Sequence, residues 1–159
     1  MSKEMFKQLS RTDRALPPEK IQEIMGKAEY GVLSTTSENG YPYGVPVSFV
    51  FHDNHIYFHC AQKGHKLENI AHNAKVSFCV VADVILLSEK FATKYSSVIS
   101  FGTASEVSDP TKKQEILVKL LEKFSPDFMK AGMKYIAADS VKAKVYQIEV
   151  EHISAKGRL

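Results

Sequence analysis

The sequence predicts a mainly β protein with peripheral helices, built as a six-stranded antiparallel barrel. Six segments rich in β-branched and aromatic residues are separated by short turns such as SENG and HDN. Helical patterns occur at only a few connections, whereas parallel strands need a helical crossover between most neighbours. The segments are also long, and closure into a barrel would remove their exposed edges. A barrel is therefore favoured over a sandwich.

The predicted strands follow one another in hairpins over most of the chain. They are YGVLSTT (30–36), YPYGVPVSFVF (41–51), HIYFHCA (55–61), KVSFCVVA (75–82), YSSVISFGTASEV (95–107) and KAKVYQIEVEHI (142–153). The fourth shows the clearest alternation, with Val76, Phe78 and Val80 on one face and Ser77 and Cys79 on the other.

Three helices are predicted at the connections. EKIQEIMGKAEY follows Pro17-Pro18 and places Ile21, Ile24 and Met25 at helical spacing. A second helix is expected to begin near Gly64. The third lies in DPTKKQEILVKLLEKF, where Asp109 suits the N-cap and proline the first helical position. Its buried stripe is predicted to be Ile116, Leu117, Leu120 and Leu121.

Composition indicates a single globular domain spanning residues 1–159, with residues 1–16 as a loosely ordered N-terminal arm. Hydrophobic residues make up 44% of the chain and charged residues 25%. The net charge of +3 is mild and forms no basic stripe, so nucleic acid is not an expected partner. No stretch is apolar enough for a membrane span or a signal peptide, and two cysteines suggest a reducing compartment. The cytoplasm is the expected location.

One face of the second strand carries unusually small residues. Gly44, Pro46 and Ser48 alternate with larger side chains, from Tyr43 to Phe51, which are predicted to face the core. Glycine in a strand often marks close approach by a ligand or another backbone. Proline removes an N–H donor, so Pro46 should lie at an edge or a bulge. A flat ligand on this face and a strand that simply bends explain the pattern equally well.

The segment HCAQKGHKLENI, residues 59–70, is the strongest candidate site. The N-terminus of a helix offers unpaired N–H groups and the positive end of a dipole, which attract phosphate. Lys63 and Lys66 add positive charge, and His65 can donate a hydrogen bond. We expect His65 and Asn69 to share the polar face of this helix. Metal ligation is disfavoured because Cys60 and His65 lack the spacing of a structural zinc site.

These segments together resemble the flavin-binding core of the pyridoxamine 5′-phosphate oxidase-like superfamily, particularly its nitroimidazole-reductase-related branch. The matching features are LSTT closing the first strand, GYPYGVPVSF in the second, YFHCA in the third and GHK opening the helix. YSSVISFGTASEV and ISAKGRL also resemble that branch. The resemblance runs from about residue 30 to the C-terminus. It implies an FMN-binding split β-barrel that forms a homodimer with flavin at the subunit interface.

The resemblance also implies which residues bind FMN. Thr35 and Thr36 would lie beside the flavin, the backbone of residues 46–48 along the ring system and residues 59–61 along the ribityl chain. His65 and Lys66 would hold the phosphate. The full set is Thr35, Thr36, Pro46, Val47, Ser48, His59, Cys60, Ala61, Gly64, His65, Lys66 and Ser97. The arginine-rich C-terminus of the true pyridoxamine phosphate oxidases is missing, so oxidation of that substrate is not expected.

Several functions stay open at this point. The first is an FMN-dependent oxidoreductase that takes reducing equivalents from NAD(P)H and reduces a small organic acceptor such as a nitroaromatic. The second is a flavin carrier or redox sensor without turnover, because no general acid or base stands out. A haem-binding barrel is the third, with His52, His55, His72 and His152 as available ligands. A purely protein-binding domain is the fourth. His65 is the first candidate for a role near the substrate, although a phosphate-binding role is favoured.

Overall fold

A computed structural model describes residues 5–159, which form a mainly β domain with helices at its periphery. The helices are α1 (Pro18–Lys27), α2 (His65–His72), α3 (Pro110–Phe124) and α4 (Met129–Asp139). The strands are β1 (Gly31–Thr36), β2 (Pro42–Val47), β3 (Val50–His52), β4 (His55–Cys60), β5 (Lys75–Leu87), β6 (Ala92–Glu106) and β7 (Lys144–Arg158). Within the described residues, no helix is long and apolar enough to cross a membrane.

The strands form one antiparallel sheet in the order β2-β1-β5-β6-β7-β4-β3. The two ends of this sheet, β2 and β3, are consecutive in the chain and separated by Ser48 and Phe49 alone. Three peptide units span at most about 11 Å, so the two ends of the sheet must lie next to each other. The sheet therefore curls into a barrel that is split where β2 and β3 meet without pairing, which confirms the predicted fold class.

The second predicted strand is two strands, because the chain changes partner in the middle of it. Its first part pairs with β1, from Pro42 opposite Thr36 to Val47 opposite Gly31. Its second part pairs with β4, from Val50 to His52. The prediction of a single strand over 41–51 was wrong at this break. Pro46 lies on β2, which is an edge strand of the sheet, as expected. A proline without an N–H donor is tolerated there because no further strand of the described residues pairs on that side.

The inside of the barrel is filled by apolar side chains from every long strand and from α1. The largest fully buried ones are Phe49, Phe58 and Phe78, and the rings of Phe49 and Phe78 meet edge to face at 5.0 Å. Ile24 and Met25 close one end of the barrel from α1, as their helical spacing predicts. Phe49 thus anchors the split between β2 and β3 in the core.

A second core lies outside the barrel, where α3 and α4 pack on β3, β4 and β7. Asp109 caps α3, since its carboxylate accepts the Lys112 N–H at 2.8 Å, as predicted. The predicted stripe is also confirmed: Ile116, Leu117 and Leu120 are buried, and Leu121 is half-buried. Helix α4 was not predicted. It contributes Ile136 to this core and exposes most of its other side chains.

The described part of the N-terminal segment lies against the barrel. Ala15 forms a bridge with Lys156, and the Leu16 N–H donates to the Ala155 carbonyl at 2.9 Å. Phe6 stacks on His152 with ring centroids 5.0 Å apart. Residues 1–4 of the predicted arm lie outside the described residues.

Lys123 is a half-buried lysine that bridges α3, α1 and the split between β2 and β3. Its ammonium donates to the Phe49 carbonyl at 2.9 Å and to the Met25 carbonyl at 3.2 Å. It also lies 4.0 Å from the centroid of the Phe49 ring. Burial lowers its pKa to about 8. The lysine therefore provides hydrogen bonds to one carbonyl in α1 and to one at the point where the strand changes partner.

This lowered pKa predicts how the contribution of Lys123 to stability changes with pH. Below about pH 8 the lysine is charged in both folded and unfolded states, so the cost of burying the charge is constant. Between about pH 8 and 10.5 the unfolded state holds a proton that the folded state has lost, so stability rises with pH. The unfolding free energy of wild type minus that of Lys123→Met should therefore rise across this range. We expect a rise of about 1 kcal/mol once solvent screening is discounted.

Urea unfolding at about pH 7.5 and pH 10 measures this difference. Lys119→Met, which removes another lysine from α3, is the control for a change in net charge. A difference between wild type and Lys123→Met that is the same at both pH values would contradict the prediction.

Candidate functional site

The N-terminus of α2 is open and positively charged. Gly64 precedes the helix with φ 155° and ψ 167°, a conformation that glycine adopts readily and other residues do not. It has no side chain to cap the helix, and a Cβ added there would meet no atom within 4 Å. The N–H groups of Leu67 and Glu68 bond back to the Gly64 carbonyl, whereas those of His65 and Lys66 precede the first helical bond. An anion can therefore approach the first turn directly.

A buried amide ties α2 to the end of β1. Asn69, which is 4% exposed, donates from Nδ2 to Thr35 Oγ1 at 2.9 Å and to Ser37 Oγ at 3.0 Å. Asn69 and His65 share one face of the helix, as predicted, since both contact Ser37, but this face turns toward the end of β1 and Asn69 is buried there. Two hydroxyls from the end of β1 meet the amide there, so a polar residue is buried without losing its hydrogen bonds.

The same network fixes the His65 ring at the mouth of the helix. Ser37 Oγ lies 3.2 Å from His65 Nε2, and the Tyr43 ring lies over the imidazole with centroids 4.0 Å apart. When the ring is neutral with its proton on Nδ1, the Ser37 hydroxyl donates to Nε2; when Nε2 carries a proton, the hydroxyl accepts it. Either arrangement holds the ring in place and leaves Nδ1 to contact a ligand.

Removing the Asn69 amide should weaken both the fold and this arrangement. Asn69→Leu keeps a similar volume but leaves Thr35 and Ser37 without their buried donor, so we expect a loss of about 1–3 kcal/mol in unfolding free energy. Urea unfolding followed by far-ultraviolet circular dichroism measures this loss. Glu68→Gln, an exposed neighbour on α2, is the matched control and should change stability by less than about 0.5 kcal/mol. Equal effects of the two substitutions would show that the amide has no special role.

A cavity of about 910 Å³ lies between the strand side of the site and the two outer helices. Ser48, His59, Cys60 and Ala61 contribute to its strand side. Its helix side is formed mainly by apolar residues of α3, α4 and their connection, among them Leu121, Phe124, Phe128, Gly132 and Tyr135. This volume is in the range of small-molecule and cofactor sites.

The pKa values of two side chains on the strand side of the cavity are affected by Lys66 in the first turn of α2. The pKa of His59 is lowered because surrounding protein displaces water from the ring and because the Lys66 ammonium is near. Burial raises the pKa of the Cys60 thiol, although Lys66 and Lys144 oppose the rise. Cys60 is therefore held as a thiol, which argues against a nucleophilic role. The cavity wall and the helix N-terminus are close in the chain, because only Gln62 and Lys63 separate Ala61 from Gly64.

Most of the predicted FMN-binding residues fall in two groups, which the short loop of Gln62 and Lys63 connects. Gly64, His65 and Lys66 form the helix N-terminus, and Thr35 is joined to it through Asn69. Ser48 and residues 59–61 line the cavity. Thr36 is exposed at the end of β1, and Pro46 and Val47 run along β2 toward Ser48.

Ser97 lies apart from the other candidates within this chain. It is buried on β6, opposite Val81 and Lys156, and its hydroxyl donates to the Lys156 carbonyl at 3.4 Å. Its predicted contact with the flavin stays a prediction.

Sequence reasoning missed Ser37 and Asn69 and did not assign Tyr43 a place in the site. Tyr43 was interpreted as core but covers His65. A signal was present, since STTS supplies a run of hydroxyl groups that could reach a polar residue on a nearby helix. Which helix residue receives them depends on the tertiary packing of α2 against β1.

The histidines suggested as haem ligands lie away from this cavity wall, and several have partners. His52 Nε2 lies 3.2 Å from Asp53 Oδ2, and His55 Nδ1 lies 2.6 Å from the Asp53 carbonyl. His152 stacks on Phe6, and His72 is exposed at the end of α2. Across residues 5–159, no three His, Cys, Asp or Glu side chains cluster as a metal site would require.

Fold and site together define a split-barrel protein with an open, positively charged helix N-terminus beside a mainly apolar cavity. The family follows from the sequence as well, because the family model described as pyridoxamine 5′-phosphate oxidase matches residues 17–157. The chain belongs to this family, and the predicted resemblance is confirmed. No curated protein sequence matches the chain.

Solved structures share the fold at low sequence identity. A Bacteroides thetaiotaomicron protein provisionally assigned to 5-nitroimidazole antibiotic resistance is 19% identical with a TM-score of 0.75, covering 90% of this chain and 86% of its own. The flavocytochrome Anf3 of Azotobacter vinelandii is 20% identical with a TM-score of 0.80, covering 96% and 72%. The FAD and haem binding protein of Mycobacterium smegmatis is 17% identical with a TM-score of 0.70, covering 89% and 71%.

Proposed function

We propose that this protein binds FMN and uses it to transfer reducing equivalents from NAD(P)H to a small organic acceptor. The observation that carries the proposal is the open N-terminus of α2 with His65 and Lys66, which follows by a short loop the strand end that lines a cavity large enough for a flavin ring. A terminal phosphate suits such an end of a helix, because N–H groups and positive charge converge there. The names of two structural neighbours, a flavocytochrome and an FAD and haem binding protein, add support.

The residues present fit a flavin in three parts. Gly64, His65 and Lys66 would hold the phosphate, and the wall formed by residues 59–61 would follow the ribityl chain. The exposed backbone from Pro46 to Ser48 would lie along the ring system. When bound, the flavin supplies reversible electron transfer, and the chain supplies binding, orientation and control of access. The phosphate site favours FMN over FAD, which would place a diphosphate and an adenosine at the helix.

A homodimer with flavin at the subunit interface is part of this proposal. The β5–β6 hairpin exposes a group of apolar side chains, including Leu86 at 73% and Phe91 at 98%. Exposed apolar groups of this kind mark interaction surfaces. Sedimentation showing a monomer of 17.8 kDa with full FMN occupancy would contradict the shared site.

The catalytic part of the proposal is tested by anaerobic addition of NADH or NADPH to the flavin-loaded protein. We expect the oxidised-flavin absorbance to bleach and to return when a nitroaromatic acceptor is added. If neither nucleotide bleaches the flavin, the NAD(P)H-dependent activity is wrong.

A flavin carrier or redox sensor without turnover is the second candidate. It is favoured by the chemistry of the strand side of the cavity, where Cys60 is held as a thiol and the pKa of His59 is lowered. Stoichiometric FMN with normal chemical reduction, but no turnover with a panel of acceptors, would identify this function.

A further inference from the structure

We propose that the helix side of the cavity is the acceptor site, and that it selects a flat, uncharged, largely apolar ring. This inference rests on the proposed flavin function and adds the substrate class to it. The proposal is based on the observation that Phe124, Phe128 and Tyr135 line the same cavity as Ser48. Ser48 follows β2, the strand proposed to lie along the flavin ring.

The helix side presents aromatic surface that the fold itself leaves uncovered. Phe128 and Tyr135 are each 69% exposed, and Phe124 is 38% exposed. Aromatic side chains bind flat rings by offset or edge-to-face contact, and water is displaced from both surfaces. A ring held between these side chains and the strand side would lie where the flavin ring is expected.

Charge in the cavity argues against an anionic acceptor. Among the residues that line it, the aspartate and lysine side chains are Asp139 and Lys142, and their charges lie 3.8 Å apart. Lys142 is therefore offset by a carboxylate, and its side chain is 83% exposed. An acceptor that carries a sulfonate or carboxylate into the apolar part would lose hydration without gaining a cation.

The packing of α4 on α3 sets the shape of this side. Gly132 faces Leu121, and a Cβ added at Gly132 would overlap the Leu121 side chain. The two helices therefore approach closely at this point, and the aromatic residues flanking it, Phe128 and Tyr135, extend beyond the contact. The result is a slot with apolar walls rather than a polar basin.

The reaction that tests the proposal is the oxidation of reduced flavin by a quinone. The reduced flavin gives up two electrons and, together with water, two protons. The quinone takes up both and becomes a hydroquinone. Stoichiometric dithionite supplies the reductant, so the test is independent of NAD(P)H. The acceptors are 1,4-naphthoquinone and 1,4-naphthoquinone-2-sulfonate, which differ in charge and share the ring system.

Stopped-flow reoxidation of the flavin-loaded protein should saturate with 1,4-naphthoquinone. The sulfonate should need at least about tenfold higher concentration for half-saturation, because its charge stays unpaired in the cavity. The double variant Phe128→Ala with Tyr135→Ala should raise the half-saturating concentration of the uncharged quinone about tenfold by removing apolar contact. Tyr30→Ala removes an exposed aromatic that does not line the cavity and should leave it unchanged. Equal half-saturation by both quinones, or no effect of the double variant, would overturn the proposal.

A second measurement separates this inference from the flavin function. Indole, an uncharged planar probe that is not reduced, is titrated into flavin-free protein while the amide signals of Ala131 and Gly132, which line the cavity and are unchanged in the double variant, are followed by NMR. Shifts that the double variant abolishes support the site even if the protein binds no flavin. Absence of shifts overturns it even if the flavin is reduced and reoxidised. Weaker self-association of the double variant in sedimentation, with unchanged quinone saturation, would assign the slot to a second copy of the chain instead.

Discussion

Replacing His65 with alanine and Lys66 with methionine together should raise the dissociation constant for FMN at least about 100-fold. In the proposed site each side chain would make a charge-assisted contact with the phosphate, and such hydrogen bonds contribute about 1.5–3 kcal/mol each. His65 is exposed and Lys66 half-buried, so the fold should tolerate the change. Quenching of flavin fluorescence on titration with the protein measures the dissociation constant.

The matched control combines His72→Ala with Lys119→Met. It removes the same two residue types, one from the far end of α2 and one from α3. We expect it to bind FMN within about twofold of wild type. If the control loses as much affinity as the test variant, general positive charge rather than the helix N-terminus binds the phosphate, and the proposed phosphate site is wrong.

Phe49→Ala should lower the unfolding free energy by about 3–5 kcal/mol, the range for removing a buried aromatic side chain. The ring is fully buried, packs edge to face on Phe78 and lies under the Lys123 ammonium. It also sits where β2 passes into β3, so its loss should loosen the split in the barrel next to Ser48. Urea unfolding measures the stability, and FMN titration of the folded variant measures the consequence for the site.

Tyr30→Ala is the control for this substitution, because Tyr30 is 59% exposed and precedes β1. It should change stability by less than about 0.5 kcal/mol. A loss below about 1.5 kcal/mol for Phe49→Ala would mean that neighbouring side chains refill the core. The account of Phe49 as the anchor of the split would then be contradicted.

Local patterns were sufficient to predict most regular elements of this chain, although not α4. In α3, the apolar spacing identified the buried stripe, and Asp109 followed by proline identified the start. The alternation of Val76, Phe78 and Val80 identified the interior face of β5. These features could be predicted because each depends on residues close together in sequence.

The change of partner between β2 and β3 could not be predicted in the same way. Alternation of large and small residues continues from Tyr43 to Phe49, so nothing local marks a break at Ser48. The break arises because β1 and β4 lie near opposite ends of the sheet, and one segment has to pair with both. This requirement exists only in the closed barrel.

The charged residues of the candidate site were identified from the sequence, whereas the buried contacts that support them were not. GHK at the start of a helix indicated the open, positively charged helix N-terminus, because backbone geometry and side-chain charge are both local there. Asn69 was placed on the same face as His65, but its burial was not predicted because a polar residue is normally assigned to solvent. Its burial depends on Thr35 and Ser37, which reach it from more than 30 residues away.

The most direct test of the central claim is the absorbance spectrum of the protein as purified, with the released chromophore identified by mass. Flavin bands with a chromophore mass equal to that of FMN, near one per chain, are the predicted result. A colourless protein that also fails to bind added FMN would contradict the proposed function.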